Sequence, residues 1–205
     1  NFSNAQQAFW GRAAGCDFVT KRCESAWSER YFCNSAKTGT QCTSDFNAKG
    51  ICDVSKYTVE LPAYYQHFTD STVGGASDFL DFCPQYKPVL DCRLPSNANA
   101  QTDTTSGEKY SSFSKCFLTN FYLNGKAPSS TDRLTFLSRC HEFACENGTN
   151  LYVRIGRNFV PCPRNGGLVS VAPGFDGQIQ CPPSSEICLP NVDTLNFNAD
   201  VKDPA

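Results

Sequence analysis

Apolar and polar positions follow two different patterns along this chain. Leu151, Val153 and Ile155 are interleaved with Tyr152 and Arg154, and the runs Gly167-Leu168-Val169-Ser170-Val171 and Gly177-Gln178-Ile179-Gln180 are short and bounded by Gly and Pro. Alternation over a few residues between turn formers predicts small antiparallel strands. Nearer the start, Cys16, Cys23, Cys33, Cys42 and Cys52 fall seven to ten residues apart and leave room only for short helices and turns. In the aromatic segment Tyr57 to Phe82, Tyr64, Tyr65 and Phe68 share one helical face until Gly74-Gly75 interrupts it. Ser77 to Phe82 reads as a short capped helix that stops before Cys83-Pro84. Residues 94–112 hold scarcely a large apolar side chain and are expected to form an exposed loop, and the polar residues after Pro190 are expected to fray. The pattern predicts an α+β, disulfide-rich fold, mostly antiparallel β with short helices and long loops, the helices in the first half and small sheets in the second.

Composition sharpens this picture. Fourteen Gly, 12 Pro and 13 Cys describe a chain stapled by cross-links rather than built on long helices. The cysteines recur at varied spacings instead of the paired C-x-x-C knuckles that zinc favours, so they read as disulfides and imply an oxidising compartment: secreted, lumenal or cell-surface. Asn1-Phe2-Ser3 and Asn147-Gly148-Thr149 are glycosylation sequons usable there, Asn147 being the better acceptor because Gly148 suggests an exposed turn. A formal charge of −2 with no run of Lys and Arg removes nucleic acid and anionic membranes from the expected partners. No apolar stretch approaches the roughly 18 residues that cross a bilayer. Because the chain lacks methionine and a signal peptide, it is expected to be a processed product or a segment of something longer.

His67 and His141 are the only histidines, which leaves little for catalysis. Cys140-His141-Glu142-Phe143-Ala144-Cys145 resembles the H-E-x-x-H helix, whose two His bind zinc while the Glu serves as general base, but Cys145 stands where the second His belongs. A zinc site would need His141, Cys145 and a further ligand kept clear of disulfides; the reading preferred is a surface His between two structural bridges. Cys140 and His141 make a poor nucleophilic pair because adjacent residues rarely aim their side chains at one another. Asp78 and Asp81 read as a cap or a solvated face, and Gly74-Gly75 and Gly166-Gly167 as turns. Trp10, Trp27, Tyr57, Tyr64 and Tyr65 form either an aromatic binding face or an aromatic core, the core being preferred. No catalytic or metal-binding residue is assigned.

Several strings, in order, resemble the C-terminal region of leishmanolysins, zinc metalloendopeptidases displayed on protozoan surfaces. They are Trp10-Gly11-Arg12-Ala13-Ala14-Gly15-Cys16-Asp17-Phe18 with Lys21-Arg22-Cys23, then Tyr31-Phe32-Cys33-Asn34. Tyr65-Gln66-His67-Phe68-Thr69-Asp70, Gly75 and Asp81-Phe82-Cys83-Pro84 follow, and Gly177-Gln178-Ile179-Gln180-Cys181-Pro182-Pro183 with Glu186-Ile187-Cys188 close the series. The likeness runs from about residue 8 to residue 190 and takes in the order and approximate spacing of all 13 cysteines.

The resemblance implies that residues 1–15 lead in from an upstream catalytic domain, that 16–190 form the cysteine-rich C-terminal domain and that 191–205 are a polar tail. The family's zinc-binding helix, its third His and its methionine turn lie upstream of the matched region, so zinc and peptide hydrolysis are implied for the parent and no cofactor for this segment. The family's bridges, carried over by order and spacing, imply Cys23 with Cys83, Cys33 with Cys52, Cys42 with Cys116, Cys92 with Cys140, Cys145 with Cys188 and Cys162 with Cys181. That leaves Cys16 for a disulfide to the upstream catalytic domain or chain. The expected task is to pack beside the catalytic domain, stiffen one side of its substrate cleft and hold it away from the membrane. A structural or adhesion component of an extracellular assembly, meeting other extracellular proteins and reusing the scaffold without activity, is the alternative, and the upstream sequence discriminates the two. An independent lectin-like module fits the odd cysteine count less well. Many family members carry a lipid-anchor signal; nothing after Pro190 supplies one, so a C-terminal tail is expected to be missing or processed away.

Overall fold

A computed structural model of the chain describes residues 10–11, 15–23, 31–33, 39–100, 105–126, 135–171, 173–189 and 194–195. Strands β1 (Gln41–Cys42), β2 (Ala48–Cys52), β3 (Val54–Lys56), β4 (Val73–Gly75) and β5 (Tyr86–Asp91) occupy the first half. The second half contributes β6 (Ser114–Thr119), β7 (Tyr122–Leu123), β8 (Leu137–Glu146), β9 (Asn150–Ile155), β10 (Asn158–Pro161), β11 (Gly167–Ser170), β12 (Phe175–Asp176) and β13 (Gln178–Cys181). They assemble into a six-stranded sheet in the order β10-β9-β8-β6-β13-β11, a three-stranded sheet β1-β2-β5, and the pairs β3-β4 and β7-β12. All of these pairings are antiparallel. Helix among the described residues amounts to α1 (Asp17–Thr20), α2 (Ser184–Ile187) and three short 3-10 turns. The fold is therefore β-rich rather than a balanced α+β, and sheet is not confined to the second half.

The strands expected at 151–155, 167–171 and 177–180 are β9, β11 and β13. Along β9 the alternation does what a half-buried strand requires: Leu151, Val153 and Ile155 are fully buried while Tyr152 and Arg154 are not. These three side chains join Phe117, Phe121, Phe143, Ile179 and Ile187 in the main core. A second cluster is built on Cys92, Cys116 and Cys140 with Tyr110, and a third on Cys23, Tyr31 and Phe32 with Phe18 and Cys83.

Four expectations are corrected. Where Tyr64, Tyr65 and Phe68 were expected to share a helix, the helical turn covers Ala63–Tyr65 alone and Phe68 lies beyond it, because so short a run cannot meet the cost of helix nucleation and is held between β3 and β4 instead. Gly74-Gly75 is part of strand β4, not a turn, and a Cβ on Gly75 would sit 2.6 Å from the backbone of Cys83 and Pro84. The 94–112 stretch is exposed through the 3-10 turn Pro95–Ala100, but Ser106 and Tyr110 are buried against the body of the protein. The tail does not simply fray: the Leu195 N–H donates to the Phe143 carbonyl at 3.0 Å, and the Cys145 N–H donates to Thr194 Oγ1.

Candidate functional site

The string that looks most like a metal motif lies on β8, not on a helix. Four residues along a strand span about 13 Å, so His141 and Cys145 cannot meet one ion as an i, i+4 helical pair would. Cys140 is bonded to Cys92 and Cys145 to Cys188. The expectation of a surface histidine is wrong: His141 is fully buried, its ring 5.3 Å from that of Phe121 and 6.4 Å from that of Phe117. Neither ring nitrogen finds a well-formed hydrogen bond, although the Gly107 backbone is close enough to favour the proton slightly. Burial, reinforced by the positive field of Arg139, pushes the imidazole down to about 3 and keeps it neutral. These residues do not fit a hydrolytic zinc centre.

The other histidine belongs to a tighter cluster, in which ligand atoms of Cys23, His67 and Cys83 lie within 4.8 Å of one another. His67 Nε2 lies 2.8 Å from the Asp81 carbonyl oxygen and must donate to it, and the same nitrogen is 3.5 Å from Cys83 Sγ. Both sulfurs are bonded to each other, so neither is available as a thiolate ligand. Asp78 and Asp81 are exposed, and Asp81 takes the left-handed conformation that ends its 3-10 turn, with its N–H bonded to the Asp78 carbonyl.

Six cysteine pairs sit at bonding distance: Cys23–Cys83, Cys33–Cys52, Cys42–Cys116, Cys92–Cys140, Cys145–Cys188 and Cys162–Cys181. They are the pairs the family likeness implied. Cys16 is left as an exposed thiol at the start of α1. Asn147 and Gly148 take positive φ of 51° and 67° at the exposed tip of the β8–β9 hairpin, which leaves the sequon amide open to solvent. Asn1 and Trp27 fall outside the described residues.

Trp10, Tyr57, Tyr64 and Tyr65, expected in an aromatic core, are not buried. Trp10 is 38% exposed and Tyr64 69%, and Tyr57 and Tyr65 are half-buried. A groove of about 600 Å³ opens between the two larger sheets, with Phe32, Phe46, Tyr86, Phe117, Pro182 and Glu186 in its wall.

Sequence reasoning missed the buried polar residues that brace the sheets. Glu108, with a side chain 5% exposed, accepts from Lys49 Nζ at 3.0 Å and from the Cys140 N–H at 2.9 Å. Arg139 spreads over the Tyr122 ring at 4.4 Å, donates to Thr119 Oγ1 at 3.2 Å and also donates to the Phe121 carbonyl. Lys115 donates to Asn47 Oδ1 at 2.6 Å, and burial pulls its ammonium down to about 8. A lone Arg or Glu in a string without alternation gives no sign of burial, so nothing local could have marked them.

The leishmanolysin family model matches residues 1–194. A leishmanolysin homolog of Crithidia fasciculata is 30% identical over 207 residues, covering 94% of this chain and 31% of that protein. The leishmanolysin of Leishmania donovani is 29% identical over 205 residues, with 94% and 34% covered. The leishmanolysin-like peptidase of Drosophila melanogaster is 26% identical over 227 residues, with 92% and 33% covered. The chain thus spans about a third of the length of these relatives. With a match across nearly its whole length, this chain belongs to the leishmanolysin family of metalloproteases.

Proposed function

We propose that this chain is the non-catalytic C-terminal part of a leishmanolysin-type zinc metalloendopeptidase of the cell surface, with zinc and peptide hydrolysis supplied upstream. One observation carries the reading: a family match over residues 1–194 falls on only a third of each relative, and the two histidines it includes lie in disulfide-flanked, buried positions. The cross-linked β-rich body then acts as a rigid buttress beside the catalytic part, stiffening the substrate cleft and standing it off from the membrane. Glycans at Asn147, and at Asn1, suit such a surface.

The isolated chain is expected to show no chelator-sensitive cleavage of casein. Proteolysis that disappears with a chelator would remove the division of labour on which the proposal rests.

Cys16 is proposed as the covalent link to that upstream part. Its exposed thiol stands at the entrance to the body, where a bridge would hold both parts together after a cut in the connecting chain. Non-reducing peptide mapping of the parent protein is expected to recover Cys16 joined to a peptide absent from this sequence. Recovery of Cys16 as a free thiol, or bonded to a cysteine within residues 1–205, rejects the link.

A further inference from the structure

The three most exposed large apolar side chains among the described residues are Phe79 at 91%, Val59 at 70% and Tyr64 at 69%, all in one stretch of sequence. Tyr64 ends a row of touching rings. Its centroid is 3.9 Å from that of Tyr65, Tyr65 is 5.3 Å from Phe82, and Phe82 is 5.5 Å from Tyr57. Phe79 and its neighbour Asp78 belong to the 3-10 turn that leads into Phe82, so the most exposed ring is carried by the segment that ends in this row.

Charge along this stretch of sequence is acidic. From Tyr57 to Phe82 the sequence holds Glu60, Asp70, Asp78 and Asp81 and no Lys or Arg. Lys56 reaches in to pair with Asp70 at 3.3 Å, whereas Asp78 and Asp81 make no ion pair among the described residues. The field of these carboxylates reaches the tyrosines. The Tyr57 phenol is held above its ordinary value by burial and then by Asp53 and Asp78, and that of Tyr65 by its hydrogen bond with Tyr64, by burial, and by Asp81 and Asp78.

Exposed aromatic rings interleaved with uncompensated carboxylates are complementary to a flat cation. A guanidinium can stack on a ring face while its edge N–H groups bond a carboxylate, which an ammonium does less well. We propose that the Tyr57–Tyr65–Phe82 row, with Tyr64, Phe79, Asp78 and Asp81, is a docking surface for an arginine-bearing, extended segment of a partner protein. A neutral sugar could stack on the same rings, but it would leave the excess negative charge without a partner. The surface does not depend on where the zinc centre of the parent lies.

The test uses the full 205-residue chain with its bridges intact and fluorescein-labelled Gly-Arg-Gly-Arg-Gly-Arg-Gly, its lysine counterpart and a neutral oligosaccharide, followed by anisotropy at near-physiological salt. The arginine peptide is expected to bind more tightly than the lysine peptide. Tyr64→Ser with Phe79→Ser, and separately Asp78→Asn with Asp81→Asn, should each weaken it on the order of tenfold. The exposed positions of these residues mean that thermal unfolding should stay as in the parent chain, so a loss of binding is not a loss of fold. Equal binding of the two peptides, or binding unchanged in both double variants, overturns the proposal. Binding of the oligosaccharide without the arginine peptide overturns it in favour of a carbohydrate surface.

Discussion

Lowering the pH from 7 to 4.5 is expected to remove about 2–3 kcal/mol of folding stability through one side chain, His141. The folded-state value, near 3, lies below the ordinary 6.5, because burial and then the Arg139 guanidinium disfavour the imidazolium. The unfolded chain therefore takes up a proton as the pH falls through 6.5, and the folded chain resists it until the pH approaches 3. Stability from this residue is fully present above 6.5 and is lost progressively toward 3, in total about 5 kcal/mol. Asp70 and Asp91, both lowered by hydrogen bonds to neighbours, add acid sensitivity of their own only once the pH reaches the ordinary carboxylate range and below. Denaturant unfolding at pH 7, 5.5 and 4.5 separates the two effects. In His141→Leu, whose side chain suits a site between Phe117 and Phe121, the loss between pH 6.5 and 4.5 should vanish. A variant that loses stability in step with the parent chain would assign the proton to another group.

The strands that could be read from sequence are those with one wet face. β9 shows its apolar residues at every second position because Tyr152 and Arg154 remain partly exposed, and a period of two is what such a surface imposes. β8 defeats the same reasoning. Ser138 through Ala144 are buried on both faces, yet the run contains Ser, Arg, His and Glu, so neither an apolar run nor an alternation is visible. Its polar groups are bonded to residues far away in sequence: Arg139 to Thr119, Glu142 to Arg154. The letters His141-Glu142 then suggest a helix and a metal where the molecule has a central strand. Aromatic residues misled in the opposite direction. Tyr57, Tyr64 and Tyr65 sit on the small β3-β4 unit, a pair that no further strand joins among the described residues, and rings that would be core in a larger sheet stay at least partly exposed. Spacing alone could not choose among the many possible pairings of thirteen cysteines. The family likeness supplied the order, and packing explains it: Cys116 and Cys140 are partners across β6 and β8, so the two bridges that leave them run side by side through the sheet.

Replacing both Cys42 and Cys116 by alanine is expected to cost about 4 kcal/mol, enough to consume much of the stability of a domain this size. The bridge closes a loop with a sequence separation of 74, the longest of the six. It joins β1, an edge of the three-stranded sheet, to β6 in the middle of the six-stranded one, so it limits how far the two sheets can separate in the unfolded chain. Cys116 is also fully buried, and shortening it to alanine leaves a small void beside Tyr110 and the Cys92–Cys140 bridge. Cys162–Cys181 is the useful contrast. Its sequence separation is 19, so the matching double replacement should cost about 3 kcal/mol. Because Cys92–Cys140 lies against Cys42–Cys116, removing both bridges together should not equal the sum of the separate losses. Denaturant unfolding of the two single-bridge variants and of the variant lacking both central bridges reads these differences. A Cys42→Ala, Cys116→Ala chain that unfolds no more easily than the Cys162→Ala, Cys181→Ala chain would mean that the longer loop adds nothing, and that packing across Tyr110 and Phe46 already limits the separation of the two sheets.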